Sequence, residues 1–212
     1  MRKSLMLLGL AGLAAPALAG APTLVLDDFD SDPNDEAGGP RQLSTTILGN
    51  PFGQAANFEV DTAFSGGGSN GALFFNAGIG VEQEAAINWN GGIAGLNFDA
   101  VAAGVTAFEF DFAAVDQNFT YIMRLFDGSG GSASISGSFL AGGMRTETLL
   151  LGDFSFSSFD ATDVDEIELI LNVRGSTASL DFAMTEFRAV VPAPGAVALL
   201  GLAGLTVARR RR

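Results

Sequence analysis

The chain has 212 residues, 24 carboxylates against 11 Lys and Arg, and neither Cys nor His. With Lys3 as its single lysine, it excludes Ser-His-Asp and Cys-His catalysis, imidazole or thiolate metal sites, and, beyond residue 3, lysine-based phosphate loops and Schiff bases. The acidic balance also excludes nucleic acid as a partner, because phosphate binding depends on Lys and Arg.

Residues 1–19 read as an export leader: Arg2 and Lys3, an apolar stretch from Leu5, and the small-x-small pattern Ala17-Leu18-Ala19 that precedes cleavage. The expected organisation is therefore a leader over 1–19, one domain over 20–190 and a C-terminal segment over 191–212. Five arginines then face all 24 carboxylates in the middle portion, a net charge of −19. Such a body suits solubility, saline surroundings or divalent cations.

From residue 23 onward, apolar residues alternate at period two between glycine-rich breaks. Strands are predicted over 23–29, 43–48, 72–76, 84–89, 106–113, 119–126, 133–139, 145–151, 166–173 and 179–187. In the clearest, Phe108, Phe110 and Phe112 share one face and Glu109 and Asp111 the other. Breaks at 65–71, 90–92, 127–131 and 142–143 have turn composition. Ten short strands without a helical stripe predict an all-β fold, an antiparallel two-sheet β-sandwich or a closed barrel rather than a parallel α/β sheet, and the sandwich is the expectation taken forward. Most of the 18 Phe residues belong between the sheets.

The final segment has three parts. Val191-Pro192-Ala193-Pro194 breaks regular structure, residues 195–208 form an uncharged Ala/Leu/Gly run, and Arg209, Arg210, Arg211 and Arg212 make a cationic block that stays on the cytoplasmic side of a membrane. Fourteen helical residues span about 21 Å, short of the roughly 30 Å hydrocarbon core. The heptapeptide LLGLAGL occurs at 7–13 and again at 199–205, with the positive charges before it in the first copy and after it in the second. The segment resembles the PEP-CTERM sorting signal of Gram-negative bacteria, with Ala193 where that signal has Glu. The resemblance implies an exosortase-type processing enzyme as partner and a membrane-held intermediate. It also implies delivery to the cell surface or to a matrix of extracellular polysaccharide, in a structural or adhesive role. A plain C-terminal membrane anchor is the alternative.

The body itself resembles jelly-roll sandwiches of the galactose-binding-like and carbohydrate-binding-module type, through Leu26-Asp27-Asp28-Phe29-Asp30, the run from Phe159 to Leu169, and Leu180-Asp181-Phe182. Such domains bind glycans and hold a structural calcium near the first and last strands. Alternating oxygen ligands at Asp28, Asp30 and Asp32 suit a hard cation. An EF-hand register fails, because Pro33 takes the glycine position and Gly39 that of the bidentate Glu. The metal reading is a Ca²⁺ site of Asp28, Asp30 and Asp32 with Asp181 from the last strand; the other reading is a solvated acidic loop. Trp89, the one Trp, is the candidate glycan platform if it lies at a strand end, whereas Tyr121 falls inside a strand pattern. Glu109 and Asp111, about 6 to 7 Å apart along one strand face, meet the spacing of an inverting glycosidase, as do Glu82 with Glu84 and Glu166 with Glu168. A non-enzymatic role is the expectation, because any half-exposed strand of an acidic protein generates such pairs.

Overall fold

The structure, a computed structural model, describes residues 23–30, 41–64, 71–90 and 95–191. The expected leader with Ala17 and Ala19, the segment holding Asp32, and the tail from Pro192 through Ala193 and Pro194 to Arg209–Arg212 lie outside the described residues. Among the described residues no helix is long and apolar enough to cross a membrane.

Twelve strands follow one another: β1 (Thr23–Asp27), β2 (Gln42–Gly49), β3 (Ala56–Asp61), β4 (Ala72–Ala77), β5 (Glu82–Trp89), β6 (Ala107–Val115), β7 (Phe119–Asp127), β8 (Ser132–Phe139), β9 (Arg145–Leu150), β10 (Ser155–Ser157), β11 (Val164–Leu171) and β12 (Asp181–Val190). One sheet runs β3-β4-β12-β6-β9, with β1 beside the second half of β12. The other runs β10-β8-β7-β11-β5-β2. Every pairing is antiparallel. The protein is the all-β, two-sheet antiparallel sandwich that the alternation predicts.

Alternation places the core. Phe108, Phe110 and Phe112 of β6 are fully buried, as are Met123 and Leu125 of β7. Within the sheet Phe110 stacks on its β12 neighbour Phe187 at 4.7 Å, and across the gap Phe119 of β7 stacks on Phe182 of β12 at 4.9 Å. Each such ring removed from water contributes about 1.5–3 kcal/mol, so the phenylalanines dominate the cohesion between the sheets.

The expected boundaries shift where backbone chemistry intervenes. The first strand ends at Asp27, not 29, because Phe29 turns to φ 55° and its ring is buried. The last strand continues to Val190, paired with Ala107 on one side and Thr23 on the other. Two short strands, β3 and β10, and the single-turn helix α1 (Ala100–Ala103) have no counterpart among the predicted elements. Asp99 caps α1 by accepting from the Ala102 amide at 2.7 Å, and Gly104 ends it at φ 72°.

At the opposite end of the sandwich, buried Asn172 holds a left-handed turn (φ 52°) that asparagine tolerates better than most residues. Its amide donates to the Gln83 and Thr177 carbonyls and accepts from the Thr177 N–H. This turn carries residues 173–176 over one end of β7, where they wall the groove described next.

Candidate functional site

Strand β7 lies inside the second sheet, flanked by β8 and β11, and its outward side chains set the character of that face. In register, Thr120 faces Ser138, Ile122 faces Ser136, Arg124 faces Ser134 and Phe126 faces Ser132. On the other side Ile122 pairs with Ile170, and Arg124 with Glu168. Because directly opposed residues share a face, a ladder of four serines runs along β8 beside an isoleucine pair and an ion pair. Arg124 binds Glu168 at 2.9 Å, and Asn88 of β5 donates to Glu166 at 2.6 Å.

Two concavities lie end to end on this face and share Ile122 and Ser136. The first, about 530 Å³, adds Thr120, Tyr121, Ser138 and the wall formed by Val173, Arg174 and Ser176. The second, about 410 Å³, adds Arg124, Ser134, Asp153 and Ser155. Together they make a trough crossing β7 and β8. Beneath it, on the inner face, Gly137 leaves room for the Tyr121 ring: a side chain at that position would meet the Tyr121 hydroxyl at 2.8 Å. Burial pushes the Tyr121 phenol above its ordinary pKa, with Glu147 and Asp153 adding to the effect, so it remains a neutral hydroxyl. The trough therefore offers hydroxyls, two arginines (Arg124 and Arg174), one carboxylate and a narrow apolar strip. That mixture matches the alternating polar and C–H surfaces of a sugar chain.

Trp89 is elsewhere and plays another part. It does sit at a strand end, but it is only 4% exposed and tilts against Phe187 at 4.5 Å. Its indole N–H donates to Asp27 at 2.7 Å. Asp27 also takes Arg41 through both oxygens, at 2.6 and 2.8 Å, and the Phe29 N–H at 2.9 Å. The Arg41 guanidinium lies over the Phe29 ring at 5.3 Å. The adjoining cavity is about 170 Å³ and mostly apolar in its lining. Trp89 is thus corrected from glycan platform to core residue: its ring is packed and its one polar atom engaged.

Of the predicted calcium ligands, Asp28 and Asp30 lie together and Asp181 lies apart from them, while Asp32 is outside the described residues. Asp30 sits against Gly71, where a side chain would collide with its backbone N–H. Asp181 pairs with Asn76, five residues farther along the same stretch of chain, about 16 Å at strand rise. Asp181 accepts from the Ala77 N–H and, through burial, is raised above the usual carboxylate range. Asp28 accepts from the Asp30 N–H at 3.2 Å. Among the described residues no three such side chains converge on a metal position, so Asp181 drops out of the predicted set.

The paired carboxylates of β6 are also engaged. Arg188 of β12 reaches Glu109 at 2.9 Å, Glu186 at 2.8 Å and Asp111 with the same guanidinium, while Thr146 and Thr148 of β9 donate to Asp111 and Glu109. Burial opposes the charge on Arg188, but the bonds from Asp111 and Glu186 outweigh it and raise its pKa. The one guanidinium thus bridges the two carboxylates.

The trough itself escaped sequence reasoning. Serines at every second position of β8 are visible as a pattern, but nothing local says that Ile122, Arg124 and Ile170 stand beside them.

No protein-family model and no curated protein matches this sequence. Its fold is similar to solved structures. One is a family 11 carbohydrate-binding module from Clostridium thermocellum in complex with a β-1,3-1,4-mixed-linked tetrasaccharide, with 12% identity, a TM-score of 0.51 and coverage of 82% of this chain and 98% of that one. An agarase is similar at 16% identity and a TM-score of 0.54, over 81% of this chain and 25% of that one. Both share the two-sheet β-sandwich fold.

Proposed function

We propose that this is an exported, non-catalytic protein of the cell envelope or extracellular matrix, structural or adhesive in role, that holds polysaccharide along the outer face of β7 and β8. The trough is the observation that carries the reading: its serine ladder, Arg124 and the Ile122–Ile170 strip line a groove long enough for several sugar rings. The module likeness in fold supports it, as does the engagement of Glu109 and Asp111 by Arg188. Delivery follows from the leader over 1–19 and the PEP-CTERM-like segment with Val191, Pro192, Ala193, Pro194 and the four terminal arginines, read by an exosortase-type enzyme. A body this acidic repels anionic polymers, so neutral polysaccharides are the expected class.

Native gels cast with individual neutral polysaccharides test this directly, because the acidic protein migrates strongly and retardation is easily read. At least one polymer should retard it, and Ser136→Trp, which fills the trough, should remove the retardation without lowering the thermal midpoint. Unretarded migration in every polymer, or a Ser136→Trp variant that binds like the parent, overturns the assignment.

A further inference from the structure

Strand register brings both ends of the body to one place. Thr23 pairs with Val190, Val190 with Ala107, and Ala107 with Leu150; the chain before β1 and the chain after β12 therefore leave side by side. Val191 still packs on the core, and only Pro192, Ala193 and Pro194 separate it from the uncharged run that begins at Gly195. Fully extended, that connection spans about 14 Å. With the run in a bilayer, this end of the sandwich has to lie close to the membrane surface.

The end is divided by charge. Residues 23–26, 100–107, 149–152 and 189–191 meet there and hold none of the chain's 24 carboxylates. They present Leu24, Val101 and Leu150 at 43%, 61% and 53% exposure. Asp99 and Asp153 border this quadrant. On the other side, Asp127 ends β7, Asp160 and Asp163 lie in the loop before β11, and Asp165 is in the first residues of β11. Joined through the Ala100 N–H and the Ala161 carbonyl at 3.0 Å, the two halves form one surface, apolar at one side and acidic at the other. The far end also exposes Phe52 and Ile79, but among Glu82, Asp116 and Asp181 and with no chain terminus.

We infer that, while the tail is inserted, the protein rests on the lipid surface through the quadrant of Leu24, Val101 and Leu150, tilted so that the aspartate side lifts away. The inference depends on the reading of residues 195–208 as membrane-embedded. The same tilt sets the long axis of β12 away from the bilayer and leaves the trough facing outward.

The absence of cysteine makes the test clean. Val101→Cys, Leu150→Cys, Ile79→Cys and Ser157→Cys are made singly in the full-length chain, each at an exposed position. Each carries a fluorophore and is reconstituted into phosphatidylethanolamine/phosphatidylglycerol vesicles doped with a lipid bearing a nitroxide near its headgroup. Quenching at Val101 and Leu150 should exceed that at Ile79 several-fold, with Ser157, beside the acidic loop, in between. Equal quenching at all four positions, or strongest quenching at Ile79 or Ser157, overturns the orientation while vesicle association persists. Failure to sediment with the vesicles overturns the membrane-embedded reading of the tail and the orientation with it.

Discussion

Asp27 gathers an indole N–H, a guanidinium and a backbone N–H onto two oxygens, and with side-chain exposures of 9% for Asp27 and 4% for Arg41 the ion pair is out of water. Removing one member of a buried pair strands the other, so Asp27→Ala should lower stability by about 3–5 kcal/mol in urea titrations. Trp89→Ala, which empties a core position beside Phe187, should cost a similar 3–5 kcal/mol. It should leave polysaccharide retardation of the folded protein unchanged, separating core from trough. Asp127 gives a pH-dependent counterpart. The Asp160 N–H, the Ser129 hydroxyl and the Gly131 N–H hold its carboxylate down to a pKa of about 2. A depressed carboxylate stabilises the fold at every pH above its unfolded value near 3.8, and that contribution disappears as pH falls toward 2. The midpoint gap between the parent and Asp127→Asn should therefore be full at pH 6 and shrink across pH 4 to 2; a gap that stays constant with pH would contradict this.

Strand β9 shows how an element can invert its own pattern. Its register against β6 puts Arg145 and Glu147 opposite Phe112 and Phe110, on the inner face, while Thr146 and Thr148 point out. Arg145 and Glu147 pair with each other, and Arg145 also donates to the Leu140 carbonyl at 2.6 Å. Inward charges on an edge strand hinder pairing with another chain. Replacing both residues with valine should leave the monomer folded yet promote association, seen as growth in light scattering; a double variant that stays monomeric at high concentration would show the edge to be protected in another way. Period-two alternation found the strand at 145–151, and it found Phe108, Phe110 and Phe112, where one residue type repeats on one face. The same alternation runs through β3, where Ala56, Phe58 and Val60 take turns with Asn57, Glu59 and Asp61, although no strand was predicted there; β10, three exposed residues long, is too short to show it. The Asp27–Arg41–Trp89 cluster was illegible for a different reason: its members are 14 and 62 residues apart, and only the pairing of two sheets brings them together. The trough combines both difficulties, since it joins a readable serine alternation to partners fixed by sheet order.

At the scale of the whole molecule, charge is the dominant long-range term. The chain carries −13 overall, and lowering salt from about 0.15 M to about 0.01 M lengthens the screening distance from about 8 Å to about 30 Å, comparable to the body itself. Self-repulsion then acts across the entire fold. The thermal midpoint should rise as sodium chloride is added over that range and then level off; a midpoint indifferent to salt would show that Arg188 and its carboxylate partners already neutralise the field locally.

The position of β12 has a mechanical consequence. It connects directly to the tail, is hydrogen-bonded along one side to β6 and along the other to β4 and β1, and runs ten residues through the middle of its sheet. Under the proposed function, with a polymer held on the opposite sheet and an anchor beyond Val191, tension would pull this strand along its own axis. Its flanking bonds are then loaded together in shear instead of opening one after another like a zipper, and Phe182 and Phe187, interlocked with rings across the gap, must be dragged through the core before the strand can slide. A sandwich built this way would resist force applied through the end of β12.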